Sequence, residues 1–128
     1  MATQSVRIPP HNLDAERSLL GSILIDPEAI IKVADQLTSD SFYSPANQSL
    51  FAAMLALYEL RQPIDAVTLT SQLKKQKELT QAGGAAAVAE LSNAVASAAN
   101  VEHYAKLVSE AATKRRLISV ASQITTLA

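Results

Sequence analysis

Residues 101–128 read VEHYAKLVSEAATKRRLISVASQITTLA, a run without Gly or Pro. Nothing in it breaks a helix, so it predicts one helix from about residue 101 to the end. At about 100° per residue, Val101, Tyr104, Leu107, Val108, Ala111 and Ala112 share one face. After Lys114-Arg115-Arg116 the pattern turns. Leu117, Val120, Ala121, Ile124 and Leu127 centre about 150–180° round the cylinder from the first group. One helix cannot bury two opposite faces against one body. The first half is therefore expected to pack on the rest of the chain. The second half is expected to project and to pack on another copy, another protein or a following helix that this chain lacks.

Upstream, five more helices are expected from the same periodicity. Asn12 caps a helix over about 12–25, with Leu13, Leu20 and Leu24 on one face, widened by Leu19 and Ile23. Asp14 and Glu16 suit the positive end of its first turn. Asp26-Pro27 stops and restarts the chain, and Ile30, Val33, Ala34 and Leu37 give the apolar stripe of a helix over about 27–37. Ser44-Pro45 repeats the cap-then-Pro signal, and Phe51, Met54, Leu55 and Tyr58 define a helix over about 45–61. Asp65 caps a helix over about 66–76 with Val67, Leu69 and Leu73 inward. Gly83-Gly84 marks a loop before a short helix over about 85–94, and Ser97 to Asn100 form a turn that caps the last helix. Phe42, Tyr43, Phe51 and Tyr58 are expected in the core. Residues 1–11, with Pro9-Pro10, read as a flexible tail, 12–113 as the globular domain and 114–128 as the start of the projecting segment.

Composition agrees with an all-α fold. Ala (23) and Leu (16) make up close to a third of the 128 residues, while Gly (3), Pro (5) and aromatics (4%) are scarce. A chain that is 48% hydrophobic and 18% charged can bury a core, so full disorder is excluded. With no Cys, a disulfide framework and a cysteine-based zinc site are impossible. No apolar run approaches a membrane span and the first residues carry no secretory signal, so a cytosolic protein is expected. A net charge of −1 argues against non-specific nucleic-acid binding.

The chemistry is one of absences. A P-loop needs a Gly-rich turn ending in Gly-Lys-Ser/Thr, and none of Gly21, Gly83 and Gly84 precedes a Lys. His11 lies in the tail and His103 near the start of the last helix, with no His or carboxylate pair at metal-ligand spacing. No nucleophile elbow occurs. Neither catalytic residues nor a cofactor or metal site are expected. Lys74-Lys75-Gln76-Lys77 suits the negative end of its helix, and a contact to a phosphate or an acidic partner is the other reading of it. Lys114, Arg115 and Arg116 lie mid-helix, where the dipole gives no reason for them. A solvated face, an acidic partner and nucleic acid are the readings open to them. The residues alone reach an all-α interaction domain with a projecting C-terminal helix.

A set of motifs goes further. Ile8-Pro9-Pro10-His11-Asn12-Leu13-Asp14-Ala15-Glu16, followed by Leu20-Gly21, resembles the opening of bacterial DnaB-type replicative DNA helicases. Asp40-Ser41-Phe42-Tyr43, Pro63-Ile64-Asp65-Ala66-Val67-Thr68-Leu69, Gly83-Gly84, Glu90-Leu91, Ser97 through Ala105 and Arg115-Arg116-Leu117-Ile118 are similar to the family's later signatures, in order. Ser41, Asn47 and Ala85-Ala86-Ala87 depart from its usual Asp, His and aromatic residues.

The resemblance implies the N-terminal domain of such a helicase: a compact bundle of about six helices, the last being the first helix of a truncated helical hairpin. It implies no catalysis in this chain, with ATP and Mg belonging to a RecA-like ATPase domain absent from it. It further implies a role in collar assembly within an ATP-dependent 5′-to-3′ DNA-unwinding hexamer. The implied partners are other helicase subunits and the C-terminal domain of primase, with a helicase loader or other replisome proteins besides, little direct DNA contact and no membrane. The expected site is Leu117, Ile118, Val120, Ala121, Ile124 and Leu127, with Ile118 toward primase and Lys114, Arg115 and Arg116 toward acidic partners. The cytoplasm, at the replisome and nucleoid, is the implied location. The alternative is a free-standing all-α protein-binding or DNA-binding adaptor.

Overall fold

The computed structural model describes residues 8–127. Its α-helices are α1 (Leu13–Ile25), α2 (Pro45–Glu59), α3 (Ala66–Lys75), α4 (Gly84–Glu90) and α5 (Val101–Leu127). Short 3-10 segments lie at Pro27–Lys32, Ser39–Ser41 and Leu91–Ala94, and no strand occurs among the described residues. The all-α expectation holds.

The local signals act where they were expected. The Asn12 side chain accepts from the Ala15 N–H at 2.9 Å, and Asp26 from Glu28 at 3.2 Å. At α3, Asp65 accepts from the Thr68 N–H at 2.8 Å while the Thr68 hydroxyl accepts from the Asp65 N–H at 2.9 Å, a reciprocal cap.

The second expected helix differs. Pro27–Lys32 is 3-10 and dissolves into turns before Leu37. Ile30, Ile31 and Val33 crowd three β-branched side chains into four positions, which weakens an α-helix. The tighter 3-10 turn stacks Ile30 over Val33, and both are buried. Val67, expected inward, is 78% exposed. It lies about 160° round α3 from Leu69, and Leu69 with Leu73 takes the core. Leu13 and Tyr58 are also exposed, and Tyr43 is half-buried, while Phe42 and Phe51 meet in the core with ring centroids 4.9 Å apart.

The core is continuous. It runs from Leu19, Leu20 and Ile23 of α1 through Phe51, Met54 and Leu57 of α2 to Leu69 and Leu73 of α3. Val101, Ala105 and Val108 of α5 close it, and α1 packs chiefly on α5 and on Leu91–Ala94. At Gly21 the latter contact is so close that a Cβ would stand 2.7 Å from the Leu91 carbonyl oxygen.

α2 and α3 terminate alike. The Arg61 N–H reaches the Tyr58 carbonyl at 3.0 Å and Gln62 the Leu57 carbonyl at 2.9 Å. Lys77 and Glu78 repeat this on Lys74 and Leu73, at 3.0 and 2.9 Å. These are Schellman closures, and they hold Arg61 at φ 57° and Lys77 at φ 60°, where glycine is the usual occupant.

Candidate partner-binding site

α5 has 27 residues and is about 40 Å long. Its buried positions are Val101, Ala105, Val108 and Ala112, and every described residue from Arg116 to Leu127 is exposed. The helix thus leaves the body within one turn of the change of face in its sequence. Leu117 is 64% exposed, Val120 51%, Ile124 62% and Leu127 87%. With Ala121 they form one stripe facing away from the body, while Ser119, Ser122, Gln123 and Thr126 occupy another side.

Magnitudes limit what that stripe does alone. Burying a large aliphatic side chain contributes about 2 kcal/mol, so four contribute about 8 kcal/mol. Association costs about 4–15 kcal/mol in lost rotational and translational freedom and side-chain ordering. A two-helix contact through this stripe is therefore weak, and tight binding needs further surface.

Ile118, 57% exposed, stands apart from the stripe. It lines a cleft of about 480 Å³ with Ile8, Pro9, Arg115, Ser119 and Ser122. The three basic residues also separate. Lys114 and Arg116 are exposed, and Arg116 donates to the Thr113 hydroxyl at 3.4 Å. Arg115 is half-buried and turned inward. One of its terminal nitrogens donates to the Pro10 carbonyl and the other to the Ser41 carbonyl, each at 2.9 Å. Its guanidinium lies 5.5 Å from the Tyr43 ring centroid, and the His11 ring stacks on the same Tyr43 at 4.4 Å and 12°. Residues 8–11 of the expected tail thus lie against the body, and 1–7 lie outside the described residues.

Sequence reasoning missed this internal use of Arg115, although the signal was present. Arg115 is seven residues after Val108 and three after Ala112, in line with the buried stripe. It missed Glu16 too. That carboxylate is 1% exposed and accepts from the Tyr43 N–H at 2.7 Å, the Ser44 N–H at 3.4 Å and the Asn47 side-chain amide at 2.9 Å. It serves the start of α2 rather than the start of its own helix. Among the described residues no group of three or more His, Asp or Glu could hold a metal ion, and no helix is long and apolar enough to cross a membrane.

Comparison with known proteins fits this architecture. Residues 8–110 match the model of the DnaB-like helicase N terminal domain. The replicative DNA helicase DnaB of Treponema pallidum is 46% identical over 119 residues, 93% of this chain but 27% of that protein. The chain thus spans between about an eighth and about a quarter of the length of the curated relatives it matches. The crystal structure of the N-terminal domain of DnaB helicase from Mycobacterium tuberculosis superposes with a TM-score of 0.89 at 38% identity, covering 93% of this chain and 84% of that one. The N-terminal domain of DnaB helicase from Helicobacter pylori, described together with its interactions with primase, superposes with a TM-score of 0.76 at 27% identity, covering 89% of each chain. With its family match covering residues 8–110, most of its length, the chain belongs to the DnaB-like helicase N-terminal domain family.

Proposed function

We propose that this chain is the non-catalytic N-terminal domain of a replicative DNA helicase and works by protein contact during DNA replication. The observation that carries the reading is the bare apolar stripe Leu117, Val120, Ala121, Ile124 and Leu127 on a helix that has left its body. In this reading residues 12–113 are the globular domain and 114–128 begin a hairpin helix. The stripe pairs with other helicase subunits to build the collar of an ATP-dependent 5′-to-3′ unwinding hexamer. The C-terminal domain of primase docks nearby, with Ile118 among its contacts and Lys114 and Arg116 facing its acidic groups. A helicase loader and other replisome proteins are further partners, direct DNA contact is slight, and the site of action is cytoplasmic, at the replisome on the nucleoid. ATP and Mg are handled by the RecA-like domain of the parent, because this chain has no Gly-Lys-Ser/Thr turn with which to cradle phosphates.

The test is calorimetry of this chain, and of one extended through a full hairpin, against the cognate primase C-terminal domain. Binding by both places the primase site on the body and α5. Binding by the longer chain alone places it on the completed hairpin. In the full-length helicase, Ile124→Asp is expected to impair ring assembly and Ile118→Ala to weaken primase binding. No binding by either chain, with assembly and affinity unchanged in both variants, would falsify the proposal.

A further inference from the structure

We propose that Ile8–His11 is a releasable strap and that Arg115 couples it to the projecting half of α5. Docking the strap fixes the root of that helix, and releasing the strap loosens it. The inference goes beyond the function proposed above and does not need it, because it concerns this chain without partners.

The coupling rests on the position of Arg115. Ala112 is the last buried side chain of α5, and Arg115, one turn on, is the last that the structure ties to the body. A stretch of helix without tertiary contacts opens as far back as its nearest tertiary anchor. Arg115 is that anchor. Its two acceptors are backbone carbonyls from different segments: Pro10 lies 105 residues away in the strap and Ser41 lies 74 away in the body. One planar fork thus joins three pieces of chain in a fixed geometry that a lysine cannot reproduce. Tyr43, flanked by the guanidinium and by the His11 ring, closes the junction, and its backbone is held by buried Glu16.

The strap is lightly held. Ile8 is 72% exposed, Pro9 and His11 are exposed, and Pro10 is half-buried, so no fully buried side chain anchors it. Pro9-Pro10 is stiff before docking, so the order of its backbone changes little between the docked and released states. One hydrogen bond from Arg115 and one ring stack on Tyr43 hold the strap, a contact that a modest competing interaction can open. By linkage, whatever favours one state of the strap favours the matching state of the helix root.

Amide exchange and Cα chemical shifts, read by NMR on the full chain, test the coupling. Arg115→Met keeps the apolar stem and removes the fork. Pro9→Gly/Pro10→Gly/His11→Ala removes the stiffness and the ring stack of the strap and leaves α5 untouched. Arg115→Met should speed exchange over 116–122 roughly ten-fold and the strap variant roughly three-fold, with lower helical shifts there and α2 unchanged. Combining them should be no faster than Arg115→Met alone, since both cut the same link. The proposal is overturned if the strap variant leaves 116–122 unchanged, or if the two effects multiply. If Arg115→Met also exposes α2 and so unfolds the body, the strap variant alone decides.

Discussion

Glu16 and Tyr43, 27 residues apart, are joined by a 2.7 Å hydrogen bond from the Tyr43 backbone N–H to the Glu16 carboxylate. The same side chain accepts from Ser44 and Asn47, so α1 holds the start of α2 through one buried carboxyl group. Glu16→Ala leaves two backbone N–H groups and an amide without their acceptor. Urea unfolding should show a loss of about 3 kcal/mol. Glu16→Gln keeps one acceptor oxygen but turns an NH₂ toward donors, and should cost about 1–2 kcal/mol. Asp14→Asn, exposed on the same first turn, should change stability by less than about 0.5 kcal/mol.

Gly21 sets the distance between α1 and the Leu91–Ala94 turn. A Cβ there would meet the Leu91 carbonyl oxygen at 2.7 Å and the Ala94 Cβ at 3.0 Å. Backbone oxygen cannot swing aside as a side chain would. Alanine's helix-propensity advantage of about 1 kcal/mol is therefore outweighed, and Gly21→Ala should destabilise by about 1–3 kcal/mol in a thermal melt.

Arg61 and Lys77 hold left-handed backbone at the ends of α2 and α3. A side chain in that conformation costs about 1 kcal/mol, while glycine adds unfolded-state entropy that takes back part of any gain. Arg61→Gly should stabilise by about 0.5 kcal/mol. Lys77→Gly should fall near zero, since it also removes a cation from the negative end of α3. Gly83→Ala should cost about 1–2 kcal/mol, because φ is 101° there and a Cβ would stand 2.9 Å from that of Ala87. Denaturation midpoints for the three variants order them directly.

What the sequence discloses divides by range. Caps at Asn12, Asp26 and Asp65 are legible because donor and acceptor lie within three residues. The Glu16 contact is not, because it spans about 30 residues and needs the fold first. The same holds for the carbonyls that take up Arg115, although its place in line with Val108 and Ala112 already turned it inward. Arg61 and Lys77 carry no residue-type signal at all, since their conformation is imposed by the closures around them. The projecting half of α5 was legible because an apolar face that rotates past its own body is visible in spacing alone.

That rotation separates stability from association. Ile124 is 62% exposed and touches no core, whereas Val108 is 1% exposed within it. Leu117→Asp and Ile124→Asp should therefore leave the melting temperature within a degree or two, corresponding to less than about 0.5 kcal/mol. Val108→Ala should cost about 2–3 kcal/mol and lower the melting temperature by roughly 10 °C. Sedimentation at high concentration should reverse the order. The wild-type chain and Val108→Ala, while folded, should show weak self-association through the stripe, at dissociation constants of about a millimolar. Ile124→Asp should stay monomeric, because pairing would bury a carboxylate without a partner. A large drop in melting temperature for Ile124→Asp would mean that the stripe serves its own body, and the assignment of this face to a partner would fail.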